Sequence, residues 1–495
     1  MKQLIGYCLC FLLSVLLTCS VYAQNQRLEV PVRIGFDDLY MAPIGQKGVV
    51  VFNKTRSNVG KGFVEYVFRK YDHYLKTEWT IKGVVKKSLP FIDFAYSTNT
   101  LYLLFGKVQS RTYQVIKVNA NAGFLEKFEL FLLERLEVSH FAASQNDLYV
   151  GGMLQGEPAM LHTNLILKKT KILPLSFKGR AYVEAVYLDT LNNFVNATVV
   201  SVHRGEPTVL LKSYQKGQEV RSISLPNQKD KYLQDAQVIA IPRNEQLVVG
   251  IYAHSQQQKA HQGLFVARLT AQNELKSKRY YSFNDLKNFY GHLSEREQKR
   301  IQRKVNRRKK KGKREYTVQD KILLHRIVKQ KDTYLLCGDM YIESVRVPGG
   351  AFFTPRRFPQ NPLPREWEYS RSIGMVLNAK GFMQWDNVIK LNRVKVPQIY
   401  PVSMFHVGTD SSSLTYYFND ALRTKTFAQS KANNEVKSVK LKTSNPDDSI
   451  KENMGVQTRR WYGDFYLVWG YQRIKNKRTG KRKVFFVQKM SFASE

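Results

Sequence analysis

Cysteine is nearly missing from this chain. The 495 residues hold four, and Cys8, Cys10 and Cys19 all lie in the first twenty positions. Past them only Cys337 remains, and one thiol cannot close an internal disulfide, so a stapled framework is excluded. Cys337 lies in the apolar run Tyr334-Leu-Leu-Cys-Gly338, where a buried small hydrophobe is expected and nothing nearby would activate a thiol. Catalytic signatures are missing as well: there is no HExxH, GxSxG, P-loop or EF-hand loop. The nine histidines show no ligand-like spacing, so neither a metal nor a cofactor is expected.

Acids are scarce. Lys and Arg number 78 against 40 Asp and Glu, a formal net charge of +38. Such an excess suits polyanionic surroundings, or a surface kept soluble by repulsion. The acid pairs Asp37-Asp38 and Asp447-Asp448 fall in loop-like sequence and are expected to be solvated. Long apolar runs are confined to one place. Leu4–Leu17 is too short and too terminal for a membrane span. With Lys2 before it and Val21-Tyr22-Ala23 after it, the stretch 1–23 reads as a secretory signal, and Cys19 offers a lipoprotein alternative.

What is present is a repeat. Leu101-Tyr-Leu-Leu-Phe-Gly106, Asp147-Leu-Tyr-Val-Gly-Gly152, Leu247-Val-Val-Gly250, Tyr334–Gly338 and Phe465-Tyr-Leu-Val-Trp-Gly470 are short apolar runs ending in glycine. Val49–Phe52, Phe194–Val200 and Leu414–Phe418 are weaker copies. Their aromatic and β-branched content predicts strands, and the glycine predicts a bulge or a close backbone approach. Most run centres are about 50 residues apart, and the two long steps shorten to that value when 283–315 and 343–369 are set aside as insertions. Sheet units of this size must stack to cover their faces, which predicts one all-β domain over 24–495. The expected form is a β-propeller of seven or eight four-stranded blades, against a sandwich or an irregular all-β fold. Leu28–Ile34 reads as an edge strand that either closes the last unit or opens the first.

The insertions carry the candidate binding residues. Ser282-Phe-Asn-Asp285 and Ser294-Glu-Arg-Glu297 resemble capping boxes, so two helices are expected within 283–315. Between 295 and 315 twelve Lys and Arg stand against three Glu, and Arg300, Arg303, Arg307 and Lys310 are the candidate anion ligands. The other insertion is rich in proline, aromatics and arginine; Arg356, Arg357 and Arg365 are candidates to pair with anions, and Phe353, Phe358 and Trp367 to stack.

Four stretches together resemble uncharacterised secreted, propeller-like proteins of Bacteroidota. They are Val21-Tyr-Ala-Gln24, Tyr281-Ser-Phe-Asn-Asp-Leu-Lys-Asn-Phe289, Tyr334-Leu-Leu-Cys-Gly-Asp-Met-Tyr341, and Trp469-Gly-Tyr-Gln472 with Arg482-Lys-Val-Phe-Phe-Val487. The resemblance implies an exported protein in the periplasm or on the cell surface of a Gram-negative bacterium, and brings no known activity. The expected function is non-catalytic binding of an anionic glycan, lipid head group or acidic protein. Nucleic acid is disfavoured because no aromatics interleave the basic run. The alternative is a polysaccharide-acting enzyme whose acids converge at one mouth of the ring.

Overall fold

Each glycine-terminated run, and each weaker copy, is the second strand of an antiparallel meander. The computed structural model describes residues 26–492 apart from 34–36, 58, 108–109, 255–259, 317, 319, 326, 347–364, 399–402, 404, 409–412 and 428–431. The 1–23 signal therefore lies outside the described residues. Among the described residues eight meanders follow one another along the chain, here called modules one to eight. Their first strands are Leu39–Pro43, Phe91–Ser97, the second half of Leu125–Ser144, Arg180–Asp189, Tyr232–Ile241, Lys321–Leu324, His406–Val407 and Asp448–Arg460. Modules two and three share Leu125–Ser144, so these two form one seven-stranded sheet.

Burial explains the patterning. Val49–Phe52 and Gln246–Ala253 are buried at every position, so these second strands read as continuous apolar runs. Outer strands such as Thr77–Lys86 alternate between exposed residues and buried or half-buried ones. Apolar clusters join each module to the next: Phe52 and Phe68 meet Leu103 and Phe105, and Leu335 and Cys337 meet Leu414 and Tyr416. Cys337 is thus a core residue, and burial pushes its thiol up. The succession of clusters returns to its start, because Met41 and Val51 of module one pack with Leu467 and Phe485 of module eight.

The N-terminal strand resolves the two options left by its sequence. Arg27–Pro31 pairs antiparallel with Gly480–Met490, from Arg27 opposite Gln488 to Pro31 opposite Val484, and so supplies the outermost strand of module eight. Charge locks this seam. The Arg482 guanidinium donates to Asp448 Oδ1 at 2.8 Å and to Glu29 Oε2 at 2.8 Å, and Arg27 Nε donates to Glu29 Oε1 at 2.7 Å. Asp448 therefore departs from the solvated reading: its side chain is fully enclosed beside Arg482, which holds its carboxyl below the ordinary value.

The repeat glycines have a steric cause. The first strands of several modules bulge at or beside them: Ser139 is the extra residue across from Gly151 and Gly152, and Gln234 is looped out between the partners of Tyr252 and Ile251, next to Gly250. A Cβ on Gly152 would lie 2.0 Å from Glu137 O, and one on Gly250 would lie 2.5 Å from Asp235 O. Both obstacles are backbone, so no side chain can swing aside. Gly152→Ala is expected to lose about 3 kcal/mol by overpacking, whereas Gly156→Ala, at a turn with open space around it, should lose about 1 kcal/mol. Equal midpoints for the two variants in denaturant titrations would contradict this account.

Two expectations are corrected. The segment 283–293 forms turns, and the helix begins at Glu295. Tertiary burial overrides the helical spacing: Phe283, Leu286 and Phe289 sink into the core between modules five and six, and the Asp386 carboxylate accepts from the backbone N–H groups of Lys287 and Asn288. The second insertion is shorter than 343–369, because Thr333–Arg346 and Arg365–Asn378 continue as paired strands to its edges.

Candidate functional site: a basic ridge and an interior carboxylate pair

The helix Glu295–Lys310 opens on a complete capping box. Ser294 N donates to Glu297 Oε2 at 3.0 Å, and Glu297 N donates to Ser294 Oγ at 3.4 Å. Acids at its start and Arg307–Lys310 at its end suit the helix dipole. The half-buried Ile301 and Val305 face the body. At 100° per residue, Arg296, Arg300, Arg303, Arg307 and Lys310 fall within an arc of about 80° on the opposite side. They are exposed, and among the described residues none of the five makes an ion pair. The result is a straight cationic ridge about 21 Å long.

The remaining predicted site residues divide. Trp367 is 6% exposed and meets Tyr341 edge-on at 5.6 Å between ring centroids, so it is core and cannot stack on a ligand. Arg365 pairs through its backbone with Arg346 and Gln398 at the start of a strand. Phe353, Arg356, Arg357 and Phe358 lie outside the described residues.

The two insertions leave from one edge of module six. Lys321, where the chain re-enters the sheet, lies opposite Tyr341, close to the end of Thr333–Arg346. Asp320 accepts from Arg371 at 2.9 Å, and Arg371 lies 5.1 Å over the Phe289 ring. The base of the hairpin therefore holds the base of the basic insertion.

A second tie lies at Glu315. Its Oε2 accepts from Ser282 Oγ at 2.6 Å and Gln262 Nε2 at 3.0 Å, and stands 3.7 Å from His254 Nε2. The close approach of the His254 imidazole chiefly brings Glu315 down to about 2, and the same contact raises His254 above its ordinary value. A raised histidine stabilises fully below its unfolded value of 6.5 and loses that contribution as pH climbs through its folded value. A depressed carboxylate stabilises above its unfolded 4.5 and loses that contribution as pH falls towards about 2. Docking of the insertion is therefore expected to be firmest between about pH 4.5 and 6.5. Amide exchange of 311–316 measured across pH should be slowest, relative to its intrinsic rate, in that window and should lose this optimum in His254→Gln.

The interior carries chemistry that the sequence reading did not select. First strands of successive modules pack together, and a bulge in Arg180–Asp189 places Glu184 as the extra residue. Burial, helped by the charge of Asp235, raises Glu184 to about 7. Burial raises Asp235 to about 6 against the pull of the Ala236 N–H. Tyr182 is 46% exposed, yet the surrounding protein and both acids push its hydroxyl up to about 12. The His140 ring bonds to the Glu184 main chain, and Tyr341 of module six is near enough to Glu184 to be raised by it. Farther along, His325 Nε2 and Asp339 Oδ2 lie 2.7 Å apart, and burial with a nearby His325 lowers His406 to about 4. Among the described residues no group of three or more His, Cys, Asp or Glu could hold a metal ion. The available signal was an acid inside a first strand with apolar neighbours, in Tyr182-Val-Glu-Ala185 and Leu233-Gln-Asp-Ala236.

No family model and no curated protein matches the chain. Solved structures that resemble it include the polysaccharide lyase Uly1, at 9% identity and a TM-score of 0.39 over 88% of this chain and 94% of that one. The β-propeller domain of the Trilobed protease from Pyrococcus furiosus matches at 7% identity and 0.35 over 83% and 100%. A cobalt-substituted Synechocystis apocarotenoid oxygenase matches at 9% identity and 0.31 over 47% of this chain, and the match spans 58% of that protein's length. Similarity at this level carries no functional argument.

Proposed function

We propose that this chain is an exported, non-catalytic binding protein of a Gram-negative cell envelope, built as an eight-bladed propeller that holds a linear anionic glycan along its basic helix. Ring closure rests on the apolar clusters that run from module to module and back to the first, and on the N-terminal strand completing module eight. The observation that carries the function is the ridge: Arg296, Arg300, Arg303, Arg307 and Lys310 on one exposed helix face without acidic partners among the described residues.

A straight row of cations fits an extended polymer better than a single head group. The apolar positions Ile301 and Val305 face the protein, which leaves no apolar side to enter a bilayer. The helix also lacks aromatics on which bases could stack. The test is binding to polygalacturonate as salt is raised. Strong retention at low ionic strength that falls steeply with salt is expected. No retention at low salt would overturn the reading.

A further inference from the structure

Among the described residues Ile166, 70% exposed, is the barest of the large apolar side chains, and its neighbour Leu167 is 65% exposed. Both lie in the turn between the third and fourth strands of module three. In each meander that turn shares an end with the turn joining strands one and two: Leu101 lies opposite Val118, Leu148 opposite Thr163, and Val195 opposite Tyr214. Hydrogen bonds knit these turns into one layer across modules one to four. Lys47 Nζ donates to Asn121 Oδ1 at 3.0 Å, Lys117 Nζ to Asn146 Oδ1 at 3.4 Å, and Gly217 N to Tyr149 Oη at 3.2 Å. Phe124 and Leu191 are exposed in the same layer.

Positive charge accompanies the apolar tip. The run Ile166-Leu-Lys-Lys-Thr-Lys-Ile172 carries Lys168, Lys169 and Lys171, all exposed and none in an ion pair among the described residues, and Ile172 beyond them is exposed too. The turns of this layer are 44–48, 72–76, 98–99, 120–124, 145–146, 165–168, 190–193 and 216–217. They hold four lysines, Lys47, Lys76, Lys168 and Lys216, against one acid. That acid, Asp72, is engaged within its own turn, where it accepts from the N–H groups of Tyr74 and Lys76 at 2.8 Å each. A projecting aliphatic tip with cations behind it suits a soft layer that has an apolar interior and an anionic surface. A protein partner would instead need a groove shaped to receive the tip.

We infer that this layer is a docking surface for an anionic lipid bilayer: Ile166 and Leu167 enter the interface, and Lys168, Lys169 and Lys171 meet the head groups. Burial of the aliphatic side chains supplies attraction that salt does not screen, and the lysines supply attraction that it does. The basic helix stays free, because it leaves module five from the other end. There the turn 270–274 follows Leu269, which lies opposite Leu275, and it meets module four where Arg221 Nε donates to Asn273 Oδ1 at 2.7 Å. Ser282, opposite Gly263 at the far end of the same strand pair, leads into the insertion. A chain docked through its turns therefore keeps the ridge-bearing end of module five turned away from the bilayer. The docking does not depend on what the ridge holds.

The test mixes the full chain with vesicles of phosphatidylcholine and dibrominated phosphatidylglycerol, in which bromine quenches only tryptophans that reach the acyl chains. Leu167→Trp should add fluorescence to that of the five native tryptophans, and the vesicles should quench most of the added part. Val202→Trp lies at an exposed position beside the turn 204–205, at the opposite end of module four, and its added fluorescence should persist. In the Leu167→Trp chain, replacing Lys168, Lys169 and Lys171 by glutamate should weaken vesicle affinity at least about a hundredfold. Replacing Arg300, Arg303 and Arg307 by glutamate instead should leave that affinity within about threefold. All these positions are exposed, so the unfolding midpoints should match the parent's. No added quenching at position 167, equal quenching at 167 and 202, undiminished affinity in the lysine variant, or loss of affinity in the ridge variant would each overturn the inference, whatever the outcome with polygalacturonate.

Discussion

Removing residues 26–32 is expected to destabilise the whole chain, not merely to trim an end. Leu28, Val30 and Val32 pack against the cluster of Leu467, Phe485 and Val487, and their partial burial contributes about 3 kcal/mol. The five ladder pairs of Arg27–Pro31 add roughly 0.5–1.5 kcal/mol per hydrogen bond. Loss of Glu29 also removes one of the two carboxylates that hold Arg482. The total is several kcal/mol, a large part of the 5–15 kcal/mol that typically separates folded from unfolded chains. The deletion also turns Gly480–Met490 into an edge whose last seven residues are buried in the intact protein, a template for aggregation. The truncated chain should show a much lower thermal midpoint and elute as aggregate in size-exclusion chromatography. A synthetic peptide of residues 24–33 should restore part of the midpoint. An unchanged midpoint without the strand would show that the seam is not needed.

The second large effect belongs to the ridge. Replacing Arg300, Arg303 and Arg307 together by glutamate changes the helix charge by six and places acids in the centre of the row. By counterion release, each lost contact should lower the slope of log affinity against log salt by roughly 0.7–0.9, so the slope should fall by about two to three. Affinity for polygalacturonate at low salt should fall by at least about a hundredfold, from lost attraction and added repulsion. Because all three side chains are exposed and unpaired among the described residues, the unfolding midpoint should stay within about 0.5 kcal/mol of the parent. Undiminished binding in the triple variant would move the anion site elsewhere on the molecule.

Much of this architecture was legible in the sequence because its cause is local. The second strands are buried on both faces, so they stand out as apolar runs, and the glycines mark where a bulged neighbour crowds the backbone. All eight runs, including the weak copies Phe194–Val200 and Leu414–Phe418, coincide with second strands of modules, with only Phe465 lying one residue before its strand. The basic helix was legible through Ser294 and Glu297, whose capping box forms as expected. What could not be read depends on distant partners. The helical spacing in 283–293 yields to the Asp386 carboxylate about a hundred residues away, and Asp448 is enclosed only because Arg482 reaches it. Trp367 looked available in a proline-rich stretch and is instead core against Tyr341. Glu184 and Asp235 are single acids some fifty residues apart, and only the packing of modules four and five makes them a pair.

The twenty-residue strand Leu125–Ser144 has a mechanical consequence. Since one continuous strand serves both modules two and three, backbone as well as side chains joins them, and separating them would require breaking one sheet. Any breathing of the assembly falls to the other boundaries. The weakest of these in covalent terms is the one between the two chain ends, where side chains and a five-residue ladder alone resist separation. A force applied across the molecule would therefore unzip it from that point and leave 91–173 as the last block to yield.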